Sequence, residues 1–153
     1  MFNHLKLNTL SNSLEGTLLY DELNKTIYST DASVYKIKPI AVALPKTVKD
    51  IITLIRFAAA NKIALTPRTA GTSLAGQTVG SGIIVDVSKH FTKIVSFDAI
   101  QKTVTVQPGV IRDELNLVQK IIRVVLETNS VHPESHLVEP LPFSGSHQKK
   151  QFW

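Results

Sequence analysis

Apolar and polar positions change their spacing several times along this chain. Across 7–30, Leu10, Leu14, Leu18, Leu19 and Leu23 are spread among Ser, Asn and acidic residues, a spacing that predicts short helices. Ile40-Ala41-Val42-Ala43-Leu44, closed by Pro45, predicts a strand. Thr47 and Asp50 then form a capping-box start with Asp where Glu is usual. Val48, Ile51, Ile52, Ile55, Ala58 and Ala59 follow at helical spacing, so a helix is expected over 47–60, ended by Asn61 and Lys62. Ile63-Ala64-Leu65-Thr66, stopped by Pro67, predicts a second strand, and strand, helix, strand in that order implies a parallel pair with a right-handed crossover.

Four of the seven glycines fall between Gly71 and Gly82, and Ile83-Ile84-Val85-Asp86-Val87 after them is apolar enough for a third, buried strand. Segments 93–97 and 103–107 read as two strands joined by a turn at 98–101, with Pro108-Gly109 closing the second. Val110, Ile111, Leu115, Val118, Ile121 and Ile122 suit one more helix. Beyond about residue 126 no period survives, and three of the seven prolines and three of the five histidines crowd together. The expectation is one α+β (mixed α/β) domain over 1–126, a small parallel sheet flanked by helices and then the start of an antiparallel part, followed by an irregular or disordered tail over 127–153.

Composition narrows the chemistry. A length of 153 residues suits one core and leaves no room for a cofactor domain plus a substrate domain. Hydrophobic residues at 43% and charged residues at 19% are ordinary globular usage. The absence of cysteine excludes disulfides, thiolate nucleophiles and iron–sulfur or thiolate-zinc sites. No run approaches the roughly 18 apolar residues of a membrane span, and the first residues lack a secretory core, so a soluble cytoplasmic chain with no transmembrane segment is expected. The net charge of +5 comes from scattered basic residues, and aromatics at 7% form no cluster, so no nucleic-acid partner is expected.

The candidate site is Pro67-Arg68-Thr69-Ala70-Gly71-Thr72-Ser73-Leu74-Ala75-Gly76-Gln77, a loop of small and hydroxyl residues after a strand. Small residues let the backbone approach a ligand, and successive N–H groups can share one concavity suited to phosphate oxygens, with Arg68 adding charge. Such loops are also often plain connections. The familiar nucleotide motifs are absent: no Gly-Lys-Ser/Thr ends the loop, and Gly80-Ser81-Gly82 leads into a strand where a Rossmann fingerprint would open a helix.

With Asp31-Ala32-Ser33-x-Tyr35 and Pro39-x-Ala41-Val42-x-x-Pro45 before it, and Val85-Asp86-x-Ser88 and Val106-Gln107-Pro108-Gly109-Val110 after it, this loop resembles the pyrophosphate loop of the FAD-linked oxidase family, the p-cresol methylhydroxylase and vanillyl-alcohol oxidase type that includes D-lactate and glycolate dehydrogenases. The resemblance covers about 14–117. It implies that the backbone of Arg68 to Ser73 wraps the FAD pyrophosphate with Thr72, Ser73 and Gln77 nearby, and that Pro108, Gly109 and Val110 line the adenosine or ribityl side. Many members have two glycines where this chain has Thr69 and Ala70. Members tethered to flavin through this loop carry histidine at the place of Thr72, so non-covalent FAD is implied.

The family's later Gly/Asn-rich stretch and substrate domain are not recognisable here, so the resemblance implies an incomplete, truncated chain, inactive alone, whose small-molecule substrate would meet the missing part. No catalytic residue is assigned. The alternative is a non-enzymatic remnant of a larger flavoenzyme acting as a binding module. His132 and His136, with Glu134 and Glu139, invite a metal reading, but Pro133 breaks the helix that would align them, and no metal site is expected. His90 reads as a surface residue and Asp86 as a strand-end hydrogen-bonding group.

Overall fold

The computed structural model describes residues 4–98, 101 and 103–129, and the histidines and prolines of the expected tail lie outside the described residues. The elements are α1 (His4–Asn12), β1 (Thr17–Leu19), α2 (Glu22–Ile27), β2 (Ala41–Leu44), α3 (Val48–Asn61), β3 (Leu65–Arg68), β4 (Ile83–Asp86), β5 (Ile94–Asp98), β6 (Thr103–Val106) and α4 (Arg112–Asn129). Two compact units divide the chain, Met1–Asn116 and Leu117–Trp153. Of the second, only residues 117–129 of α4 are described, and the site lies wholly in the first.

The main sheet has the order β1-β2-β4-β3, with β2, β4 and β3 parallel and β1 antiparallel on one edge. Strand β4 is central, which explains the apolar run Ile83-Ile84-Val85 before Asp86 at its end: a parallel strand covered on both faces has no solvent side to leave polar. Period-2 alternation sorts its residues. Ile83 and Val85 join Ala41 and Ala43 under Leu54 of α3 and Leu7 and Leu10 of α1, while Ile84 joins Val42 and Leu44 on the other face with Leu19 and Tyr28.

Helix α3 forms where the capping signal placed it. Thr47 Oγ1 accepts from the Asp50 N–H at 3.3 Å, and Asp50 Oδ2 accepts from the Thr47 N–H at 3.2 Å. Lys62, at φ 53°, closes the far end in the left-handed region. The β5–β6 hairpin is antiparallel as expected.

Three expectations are corrected. Region 7–30 is not all helix: Thr17–Leu19 is a strand paired with β2. The second strand is Leu65–Arg68, so Pro67 lies inside it. Ala64 and Arg68 direct their carbonyls at β4, so alternation turns the Pro67 nitrogen to the open edge, where no ladder bond is lost. Strands β2 and β3 are parallel but not adjacent, because β4 enters between them. In addition, α4 continues helical through residues 127–129, where irregular chain was expected.

Candidate functional site

The loop between β3 and β4 leaves the sheet at Arg68. Gly71 and Gly76 both have φ of 69°, a region that favours glycine. Ser73 Oγ accepts from the N–H groups of Ala75 (3.3 Å) and Gln77 (3.1 Å), closing the far limb into a tight turn. The near limb is different. The N–H groups of Thr69, Ala70, Gly71, Thr72 and Ser73 have no acceptor among the described residues, although Gly71 itself is buried. A backbone that leaves consecutive donors unused at a positive-φ turn fits an anion.

Beneath the loop lies a side-chain network that the sequence did not disclose. Register pairs Arg68 with Asp86, so both side chains share the sheet face that carries Ile84. Tyr28 meets them there, its hydroxyl donating to Asp86 Oδ2 at 2.7 Å and its ring lying 5.1 Å from the Arg68 Cζ. Asp86 Oδ1 accepts from Ser88 N–H (2.8 Å) and Oγ (2.6 Å), the strand-end role expected for it. Arg68 Nη1 donates to Thr30 O at 2.7 Å. The guanidinium therefore folds back onto the 28–30 segment.

Burial, and then the hydrogen bond to Asp86, push the Tyr28 hydroxyl up to about 12, so it stays a donor through the physiological range. Tyr28→Phe removes that donor while keeping the ring. The expected loss is about 1–2 kcal/mol of unfolding free energy, because a part-buried carboxylate oxygen loses its partner; urea denaturation of both chains measures it.

The second predicted segment meets the same end of β4. Gly109 donates its N–H to Phe91 O at 2.8 Å, and a Cβ there would sit 2.7 Å from Val87 O and 2.8 Å from Phe91 O, so the approach of two backbones requires glycine. Val87 in turn donates its N–H to Arg68 O at 3.0 Å. Arg68 and Gly109 thus flank Val87, Val110 donates to Gln107 O, and Pro108 is exposed. Of the other predicted residues, Pro67, Thr69, Ala70, Thr72 and Gln77 are exposed and Ser73 is half-buried.

Among the described residues, no group of three or more metal-ligating side chains is placed to hold a metal ion, and no described helix is long and apolar enough to cross a membrane. His132, Glu134, His136 and Glu139 lie outside the described residues.

The sheet, its capping helices and the loop on its parallel strands define a fold of the p-cresol methylhydroxylase type found in flavin oxidases. Physcomitrella patens BBE-like 1 superposes with a TM-score of 0.65 at 19% identity, over 76% of this chain and 26% of that one. The 4-ethylphenol oxidase from Gulosibacter chungangensis does so with a TM-score of 0.64 at 18% identity, over 78% and 24%. Residues 39–134 match the FAD binding domain family, and the chain belongs to that family. D-2-hydroxyglutarate dehydrogenase of Haemophilus influenzae is 38% identical over 105 residues, 67% of this chain and 10% of that protein. Glycolate oxidase subunit GlcD of Bacillus subtilis is 34% identical over 102 residues, 64% of this chain and 22% of that protein. The chain spans about a tenth of the first relative's length and about a fifth of the second's.

Proposed function

We propose that residues 68–73 hold the diphosphate of FAD on backbone N–H groups, and that the chain is the cofactor-holding part of an enzyme oxidising a small 2-hydroxy acid. The row of N–H groups from Thr69 to Ser73 without acceptors, at the turn made by Gly71, carries this reading. Such a nest binds phosphate oxygens without lysine. Arg68 acts by its charge and by anchoring the loop to Thr30, since its guanidinium is turned that way. Thr72 and Ser73 end the near limb, Gln77 stands across from them on the far limb, and Pro108, Gly109 and Val110 form the neighbouring wall beside the adenosine or ribityl chain. The backbone of Val87, shared by Arg68 and Gly109, supports joining the two segments in one site.

Bound FAD supplies the hydride acceptor. The chain's own residues bind and orient it, and no described residue is given an acid or base role. The names of the relatives, D-2-hydroxyglutarate dehydrogenase and glycolate oxidase subunit, support the substrate class. The loop has neither histidine nor cysteine, which supports non-covalent attachment.

Titration of the chain with FAD, read by flavin fluorescence and thermal unfolding, tests the proposal. Saturable binding with a ligand-dependent rise in Tm is expected. Arg68→Glu should weaken it at least about tenfold, since one reversed charge beside an anion together with a lost anchor exceeds 1.4 kcal/mol. A folded wild-type chain that changes neither signal would refute the diphosphate site and favour a non-enzymatic module.

A further inference from the structure

The segment between α2 and β2 contacts the loop from one end to the other. Arg68 donates to Thr30 O at the loop's start, and the Ala32 N–H donates to Gly71 O at 3.0 Å at its turn. At its end, Thr78 donates to Asp31 Oδ2 from both N–H (3.4 Å) and Oγ1 (3.0 Å). Tyr35 packs on the second positive-φ turn, where a Cβ on Gly76 would meet Tyr35 Cδ2 at 2.6 Å. Inside the loop, Ser73 makes the local side-chain ties, and these reach only Ala75 and Gln77.

Asp31 is itself fixed before it meets Thr78. Its Oδ1 accepts from Ser33 N–H at 2.9 Å and Ser33 Oγ at 2.5 Å. The hydrogen bond from the Ser33 hydroxyl, supported by those from the Ser33 and Thr78 backbones and the Thr78 hydroxyl against a smaller opposing effect of burial, holds its carboxyl down at about 2. At neutral pH it is therefore ionised and only accepts, and both oxygens are occupied by donors.

We infer that Asp31 is a positioning residue for this loop: through Thr78 it fixes the far end of 69–77 and so sets the spacing of the unused N–H groups on the near limb. The inference rests on the proposed function for its ligand, though not for its geometry. An exposed loop with few internal ties samples many conformations, and a bond to a residue 47 positions away removes most of them.

The test compares wild type, Asp31→Ala, Asp31→Asn, Thr78→Val and the Asp31→Ala/Thr78→Val pair in the full chain, by amide hydrogen exchange and by FAD titration. Asp31→Ala should speed exchange of the hydrogen-bonded loop N–H groups, those of Ala75, Gln77 and Thr78, while α3 and β4 keep their protection. It should also raise the Kd for FAD about tenfold, the effect of losing the two bonds to Thr78. Asp31→Asn, which keeps an acceptor of the same shape, should recover part of both effects. The double variant should be no worse than Asp31→Ala, because both changes remove one contact. Wild-type exchange in Asp31→Ala, or full additivity with Thr78→Val, overturns the inference. If the wild-type chain binds no FAD, the diphosphate reading fails by itself and the exchange data still decide the role of Asp31. If it binds FAD and Asp31→Ala binds it equally well, the positioning role fails and the diphosphate reading stands.

Discussion

Asp50→Ala lowers the unfolding free energy by about 3 kcal/mol, the largest stability loss expected of any single polar side chain in this structure. Its side chain is 1% exposed and accepts four N–H groups: Glu15 at 2.8 Å, Gly16 at 3.0 Å, Lys46 at 2.8 Å and Thr47 at 3.2 Å. One carboxylate therefore caps α3 and ties its first turn to the chain entering β1. Alanine leaves those donors without it, and the capping box goes too. Asp50→Asn keeps the shape but turns an NH2 toward N–H groups, so a loss nearly as large is expected. Burial by itself would push the carboxyl up, but the N–H groups of Lys46, Glu15, Thr47 and Gly16 outweigh it and hold it below the ordinary value of 3.8. A depressed folded-state value means that this stabilisation is complete above 3.8 and is lost as pH falls through the folded value. Urea denaturation should therefore show wild type and Asp50→Ala well separated at neutral pH and converging in acid. A constant gap down through that range would assign the effect to packing instead.

Asp50 also shows what the sequence could and could not disclose. Its place in a capping box was legible because Thr47 and Asp50 stand only three positions apart. Its bonds to Glu15 and Gly16 were not, because they join positions 35 and 34 apart. The same division runs through the fold. Strand β4 announced itself by a continuous apolar run, whereas β1 has three residues and a single fully buried one, Leu18, so nothing local separates it from the leucine spacing of the helices around it. Pro67 reads as a stop until the strand order puts it on an edge. At the site, the glycine pattern marked the loop, but Tyr28 is 58 residues from Asp86 and carries no motif. Arg68 was legible as a charge, and its direction was not: register with Asp86 turns it toward Tyr28 and Thr30.

Gly71→Val should abolish FAD binding at the proposed site, with a Kd raised about a hundredfold or more, while far-UV circular dichroism stays that of a folded chain. Two separate costs combine. At φ 69° a β-branched residue is a steric outlier, and the left-handed region costs about 1–2 kcal/mol even for an ordinary L-residue. A Cβ would also lie 2.5 Å from Arg68 Nη2, 2.8 Å from Cζ and 3.0 Å from Nε, so either the loop flips or the guanidinium leaves Thr30 and Tyr28. Each escape rotates the N–H groups of the near limb, and about 2.7 kcal/mol of lost interaction already makes a hundredfold. Arg68→Ala in combination tells the two costs apart, since it opens the space without relaxing φ. If crowding dominates, Gly71→Ala on the Arg68→Ala background binds no worse than Arg68→Ala by itself; if backbone geometry dominates, it loses the same factor again. Unchanged FAD affinity in a folded Gly71→Val chain would place the diphosphate elsewhere, because no arrangement of this loop keeps its donors aligned with a valine at that turn.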